Sequence, residues 1–355
     1  MRAAGGVPLA QSSEPWQVTT QTGQPYRVFT PFWRNAVTKI ADVLPLPAPQ
    51  HIQFADAGLH SDSIASLKLR PTIPWDTGMA ATWTPGEQGA LARLRDFVEH
   101  ATRYSKERDR PDLPGTSMLS PHLHFGEVSP RQILAALQLE AQGDPGWMDR
   151  VEHYVRELGW REFAHHLLFH YPHTTNANLN TQFDDFPWAA PDDALLRAWQ
   201  RGRTGIPIVD AGMRELWQTG FMHNRVRMIA ASFLIKHLLI DWRRGEQWFW
   251  DTLLDADYAA NGSNWQWVAG TGVDAPLFSR IMAPLSQSEK FDAGAYIRKW
   301  VPELSELRDP YVHDPDEFGV RPRGYPRKII AHRAARDRAL EAMRFTREEK
   351  ERAEG

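Results

Sequence analysis

The chain has 355 residues, 42% apolar and 24% charged, with a formal net charge of −3, 15 tryptophans and no cysteine. This composition is globular, allows one large or two modest domains, and lies outside the disordered class. The missing cysteine excludes a disulfide framework and a thiolate zinc site, and the near-neutral charge excludes a global attraction to nucleic acid, so such a partner needs a local basic surface.

Met1–Ala10 contains one Arg, a Gly-Gly pair and a Pro, without the apolar core of a signal peptide. Residues 1–84 are then punctuated by Pro15, Pro25, Pro31, Pro45, Pro47, Pro49, Pro71 and Pro74 with little sustained periodicity, which predicts an irregular connector. From Gly86 the pattern changes. Leu91, Leu94, Phe97 and Val98 fall at helical spacing, followed by Ile133, Leu134 and Leu137, and then by Leu158, Phe163, Leu167 and Leu168. Ser120-Pro121 and Ser129-Pro130 each read as an N-cap with proline at the first helical position. The longest apolar run, Met228 to Ile240, is broken by Lys236 and His237 and is too short to span a membrane. The tail from Gly319 to Gly355 is basic and then rich in Ala, Arg and Glu, which predicts a packed final helix with a frayed end. No alternating β-branched run and no repeat period stands out. The reading is a mainly α chain, with a connector at 1–84 and a helical domain at 85–349, expected to be a cytoplasmic monomer with no membrane partner.

Several short stretches carry chemistry. Gly115-Thr116-Ser117-Met118-Leu119-Ser120-Pro121 sets hydroxyls and a glycine directly ahead of a helix start, which serves either as a cap or as a cradle for a phosphate. There is no Walker A loop, and Gly270-Thr271-Gly272 lacks the third glycine of a dinucleotide fingerprint. His166 and His170 stand four apart beside His165, but no carboxylate completes a metalloprotease motif, and no metal is predicted. The tryptophan content is roughly three times ordinary usage, and several of these indoles sit beside Asp, Asn or Arg. Trp160 follows Glu157 by one helical turn, so an indole and a carboxylate share a face that suits a planar ligand. Asn224, Arg225, Arg227 and Met228 make a similar mixed face. Between Arg201 and Arg244 there are eight basic and three acidic residues, either a solvated helix face or a DNA-binding surface. Residues 255–267, Asp-Ala-Asp-Tyr-Ala-Ala-Asn-Gly-Ser-Asn-Trp-Gln-Trp, combine carboxylates two apart with an amide and two indoles, a mixture that fits a flavin next to a stacked base.

These residues resemble the DNA photolyase/cryptochrome family, and within it the FAD-binding helical domain of cyclobutane pyrimidine dimer photolyases. The similarity runs from Gln24-Pro25-Tyr26 to near Ala342 and rests on Gly115–Gln132, Trp160–Phe163, Gly205–Asp241 and Leu254–Trp267. The resemblance implies that Tyr104, Thr116, Ser117, Met118, Leu119 and Ser120 hold the phosphates and adenosine side of FAD. It implies further that Tyr154, Arg227, Asp255, Ala256 and Asp257 hold the remainder, with the Arg227–Asp255 pair packed on the ring and Asn261 facing the flavin N5. Glu157, Trp160, Arg161, Asn224, Arg225, Met228 and Trp267 would form the pocket for a dimer rotated out of UV-damaged DNA. Trp265, Trp242 and, with a one-residue offset in spacing, Trp188 match the tryptophan chain that photoreduces the flavin. The implied activity is light-driven repair, in which anionic reduced FAD lends an electron to the dimer and Glu157 stabilises the charge that arrives.

Within the family, Asn261 matches repair enzymes, whereas plant-type signalling cryptochromes carry Asp and some animal ones Cys. Met228 after Asn-Arg-Val-Arg matches dimer photolyases rather than the 6-4 type. Tyr154 and Phe221 stand where related enzymes often have Trp. The chain begins where the family's connector lies, so the N-terminal α/β antenna domain is expected to be absent, and antenna folate or deazaflavin is not implied. The alternatives are a non-enzymatic cryptochrome-type photoreceptor and an inactive truncated photolyase fragment.

Overall fold

The computed structural model describes residues 14–40, 45–53, 58, 60–190 and 192–354. Helices dominate, and among the described residues the only β feature outside them is an isolated antiparallel bridge between Thr19 and Pro25. In chain order they are α1 (Phe29–Ile40), α2 (Thr77–Thr82), α3 (Glu87–His100), α4 (Tyr104–Glu107), α5 (Ser120–His124), α6 (Pro130–Glu140), α7 (Trp147–His170) and α8 (Asp193–Gln200). There follow α9 (Pro207–Thr219), α10 (Asn224–Ser232), α11 (Trp242–Thr252), α12 (Tyr258–Ala269), α13 (Pro284–Lys290), α14 (Gly294–Trp300) and α15 (His332–Glu354). A π-helical turn, Phe233–His237, continues α10. None of the described helices is long and apolar enough to cross a membrane.

Two apolar clusters form the interior. One gathers α1, α3, α6 and α7 around Phe29, Phe32, Leu94, Phe97, Ile133, Leu137, Val151 and Phe163. The other gathers the segments from α8 to α12, α14 and α15 around Trp199, Ile208, Met213, Phe233, Trp242 and Trp265. Helices α7 and α12 pack on each other and bring the clusters together, which leaves a cavity walled by both.

The stretch 1–84 is not irregular throughout. Phe29, Phe32, Trp33 and Ala36 are buried and fall at i, i+3, i+4 and i+7, the stripe of an amphipathic helix, and α1 lays it on α7. The stripe hides behind the prolines of the surrounding sequence. Its contact also needs Gly159 of α7, because a Cβ there would collide with the Trp33 ring. Ser129 caps α6 as expected, in a capping box with Gln132 and with Pro130 at the first position. Ser120 does not cap α5. Leu119 takes that place, and Ser120 lies inside the first turn.

Candidate active site

The cavity between the clusters has a volume of about 540 Å³, well within the range for cofactor sites. Its floor at one end is the loop Thr116–Leu119. Met118 adopts a left-handed φ of 52°, followed by the right-handed Leu119. Alternating left- and right-handed residues turn successive N–H groups to one side, the geometry of an anion nest, and this conformation is uncommon for a residue with a side chain. Ser117 anchors the loop: its Oγ accepts from Leu119 N at 3.3 Å and from Tyr154 Oη at 3.2 Å. Tyr104 and Tyr154 pack edge to face beside it, their centroids 5.1 Å apart, and burial pushes the Tyr154 phenol up to about 12, so both rings face the cavity neutral.

The middle of the cavity is polar on one side. Arg227 forms a two-pronged pair with Asp255 at 3.0 and 2.8 Å and also donates to the Met222 carbonyl at 2.6 Å, which fixes the guanidinium plane. Asp257 accepts from Ala260 N at 2.7 Å and thereby caps α12. Asn261, one turn into α12, spends its amide N–H groups on the carbonyl and carboxylate oxygens of Glu246, at 3.0 and 2.8 Å. The Asn261 carbonyl oxygen is therefore the atom left for a donor in the cavity.

The opposite side mixes aromatic walls with charge. Trp160 is stacked on Phe29 of α1, with centroids 3.7 Å apart and planes 8° from parallel, and its other side lines the cavity. Trp267 donates from Nε1 to the Asp274 carbonyl at 3.0 Å, while the Asp274 carboxylate accepts from Phe29 N at 3.2 Å. One residue thus ties both aromatic walls together. Glu157 pairs with Arg108, Arg108 stands 3.8 Å from Asp109, and Asp109 accepts from Arg225 at 2.7 Å. Arg225 also lies over the Phe291 ring, and its buried Nε has no partner among the described residues. Asn224 and Met228 complete this face from α10, and Arg161 from α7.

A match to the FAD-binding domain of DNA photolyase covers residues 154–345. The deoxyribodipyrimidine photo-lyase of Agrobacterium fabrum is 48% identical over 93% of this chain and 71% of its own length. The chain belongs to the DNA photolyase/cryptochrome family. Cryptochrome-1 of Arabidopsis thaliana is 36% identical over 93% of this chain and 51% of its own length. The structure of a bacterial class III photolyase from Agrobacterium tumefaciens superimposes with a TM-score of 0.89 at 46% identity, covering 96% of this chain and 72% of that one.

Of the residues that the photolyase pattern singles out, the structure brings Tyr104, Thr116–Ser120, Tyr154, Glu157, Trp160, Arg161, Asn224, Arg225, Arg227, Met228, Asp255–Asp257, Asn261, Trp265 and Trp267 onto one cavity wall. Trp242 and Trp188 lie outside it. Trp265 lines the cavity, Trp242 is fully buried with its Nε1 on Asn178, and Trp188 is half-buried at the edge of the core.

The basic residues of the run Arg201–Arg244 are spread over different partners. Arg214 is tied to Glu303, Lys236 is buried against the Arg280 carbonyl and pushed down to about 8 by desolvation, Arg243 is spent on Asp241 and Asn176, and only Arg225 and Arg227 reach the cavity. Arg108 was missed at the level of sequence, although it follows Tyr104 by four residues and lies over that ring. Asp274 carried no local signal, and the stripe that contains Phe29 points only to a helix; their roles at the site arise from contacts across the chain.

Proposed function

We propose that this protein repairs cyclobutane pyrimidine dimers in UV-damaged DNA by light-driven electron transfer, with FAD held in the cavity between the two clusters. The observation that carries this reading is the single cavity in which a phosphate nest, a carboxylate-lined polar side and a pair of aromatic walls converge. FAD fits these donors: the Thr116–Leu119 nest suits a diphosphate, Asp255 and Asp257 suit polyol and ring N–H donors, and the Asn261 oxygen suits a protonated ring nitrogen. When bound, reduced FAD supplies the photo-excited electron that opens the cyclobutane ring and takes it back afterwards.

The protein's own residues do the rest. Trp160 and Trp267 grip the apolar faces of a dimer swung out of the duplex, and Phe29 and Asp274 hold them at a fixed separation. Glu157 accepts a hydrogen bond from the dimer's polar edge, while Arg108 across from it keeps the carboxylate aligned. Arg225, at the cavity wall and held by Asp109, orients a phosphate without reading sequence. Trp265, Trp242 and Trp188, in the order cavity wall, interior and core edge, carry an electron inward from the surface. The Arg227–Asp255 pair closes the cavity wall and excludes water.

The test is binding of a fluorescent oligonucleotide containing one thymine dimer to the FAD-loaded protein, against the undamaged oligonucleotide. The reading requires preference for the dimer, reduced in Trp160→Ala and Trp267→Ala. Equal affinity for both oligonucleotides would favour the photoreceptor role that the similarity to a cryptochrome raises.

A further inference from the structure

We propose that His165 is a positioning residue for the flavin site: as an imidazolium it fixes the Asp257 carboxylate toward the cavity and thereby couples FAD affinity to pH. This rests on the assignment of the cavity to FAD. His165 lies on α7 behind the cavity wall, and its two ring nitrogens face two acceptors. Nδ1 is 2.9 Å from the Arg161 carbonyl oxygen, and Nε2 is 3.3 Å from Asp257 Oδ2. Only the doubly protonated ring donates to both.

Asp257 in turn performs several tasks with one carboxylate. Oδ1 accepts from Ala260 N and caps α12, Oδ2 faces His165, and the group lines the cavity that α12 also supplies with Asn261, Trp265 and Trp267. The two side chains are only 19% and 20% exposed, so salt and water screen the pair weakly. The charged groups that face His165 are Asp257, ahead of α12, and Arg161 on α7, itself 4.0 Å from Glu162. Desolvation works against the charged ring, yet the contact with Asp257 raises the pKa of His165 above its ordinary value. Desolvation likewise works against the Asp257 carboxylate, yet the same contact holds it down to about 2. The folded-state pKa of the histidine being raised, the pair is complete below about pH 6.5 and is lost as pH rises through the raised value. Asp257 then keeps its helix cap and loses the contact that points its second oxygen.

The experiment is a flavin-fluorescence titration of FAD into the apoprotein between about pH 6 and 9, the range in which histidine switches, for the wild type, His165→Asn and His165→Arg. Wild-type affinity falls about tenfold across the range, within the usual size of coupling between two sites. His165→Asn binds weakly and without pH dependence. His165→Arg, which keeps the charge and removes the titration, binds tightly and without pH dependence. A merely structural role for the ring predicts equal losses in both variants. A flat wild-type profile, or no rescue by arginine, overturns the inference while leaving the flavin assignment intact. Failure of the wild type to bind FAD at any pH overturns both. A readout free of FAD is the NMR titration of the His165 ring in the apoprotein: Asp257→Asn returns its pKa toward the ordinary value, and an unchanged pKa contradicts the proposal.

Discussion

Glu157 and Arg108 illustrate how much of the site is set by partners rather than by single residues. Removing the Arg108 side chain leaves the Glu157 carboxylate in the cavity wall without its cation and frees Asp109 from one of its two arginines. A lost charged hydrogen bond of this kind costs about 1.5–3 kcal/mol, so Arg108→Ala weakens binding of a dimer-containing oligonucleotide roughly tenfold to a hundredfold, read by fluorescence anisotropy. Unchanged affinity would remove Arg108 from the substrate side. Gly245 of α11 makes a different point. A Cβ there would meet the Trp265 ring and Leu234, so Gly245→Ala overpacks the core at a cost of about 1–3 kcal/mol and pushes the indole from its place at the cavity. Both the urea midpoint and the rate of flavin photoreduction fall; a normal photoreduction rate would show that the Trp265 position is not critical. At this scale the sequence was most legible where the residues are neighbours. Asp255, Asp257, Asn261, Trp265 and Trp267 lie in one short run: Asp257 caps α12, and helix geometry puts Asn261, Trp265 and Trp267 on its successive turns. Arg108, Asp274 and Phe29 join them only through the fold.

Helix α7 is the element on which most of the site hangs. Glu157, Trp160 and Arg161 face the cavity, Gly159 receives Trp33 of α1, and His166 faces the N-terminal segment. His166 Nε2 accepts from Tyr26 N at 3.1 Å and its Nδ1 donates to the Pro15 carbonyl at 3.2 Å, an arrangement open only to the neutral ring. Burial first, with the neighbouring His170, holds it down to about 4. Because the folded value is depressed, the unfolded chain takes up the proton first as pH falls. The contact therefore contributes fully above about pH 6.5 and is lost progressively toward about pH 4. The expected result is that the urea midpoint drops between pH 7 and 5, and that His166→Phe removes part of that slope; parallel profiles would contradict it. The helical pattern of α7 was clear in the sequence, since its apolar positions recur without interruption. That of α1 was not, because Pro31 within the helix and the prolines around it mask a stripe of four aromatic and small residues.

At the scale of the whole molecule, two apolar clusters meet along α7 and α12 and enclose one cavity, so a ligand that fills it bridges both halves. Binding to the folded state alone stabilises it by about 2.7 kcal/mol at a hundred times Kd. Saturating FAD accordingly raises the Tm, and no shift would place FAD elsewhere. Fold class was legible from the helical periodicity and near absence of strand patterns, and the cavity from the family pattern. The meeting of the halves was not, since it depends on contacts between residues more than a hundred positions apart, such as Phe29 with Asp274. In this reading the cavity turns light into dimer repair. The most direct test is the amount of thymine dimer remaining in a short oligonucleotide after incubation with photoreduced, FAD-loaded protein under blue light and in darkness. Dimer is expected to disappear in light only, and its loss to be abolished or strongly slowed in Glu157→Ala and Trp267→Ala. Dimers that persist in light with FAD bound would contradict this reading.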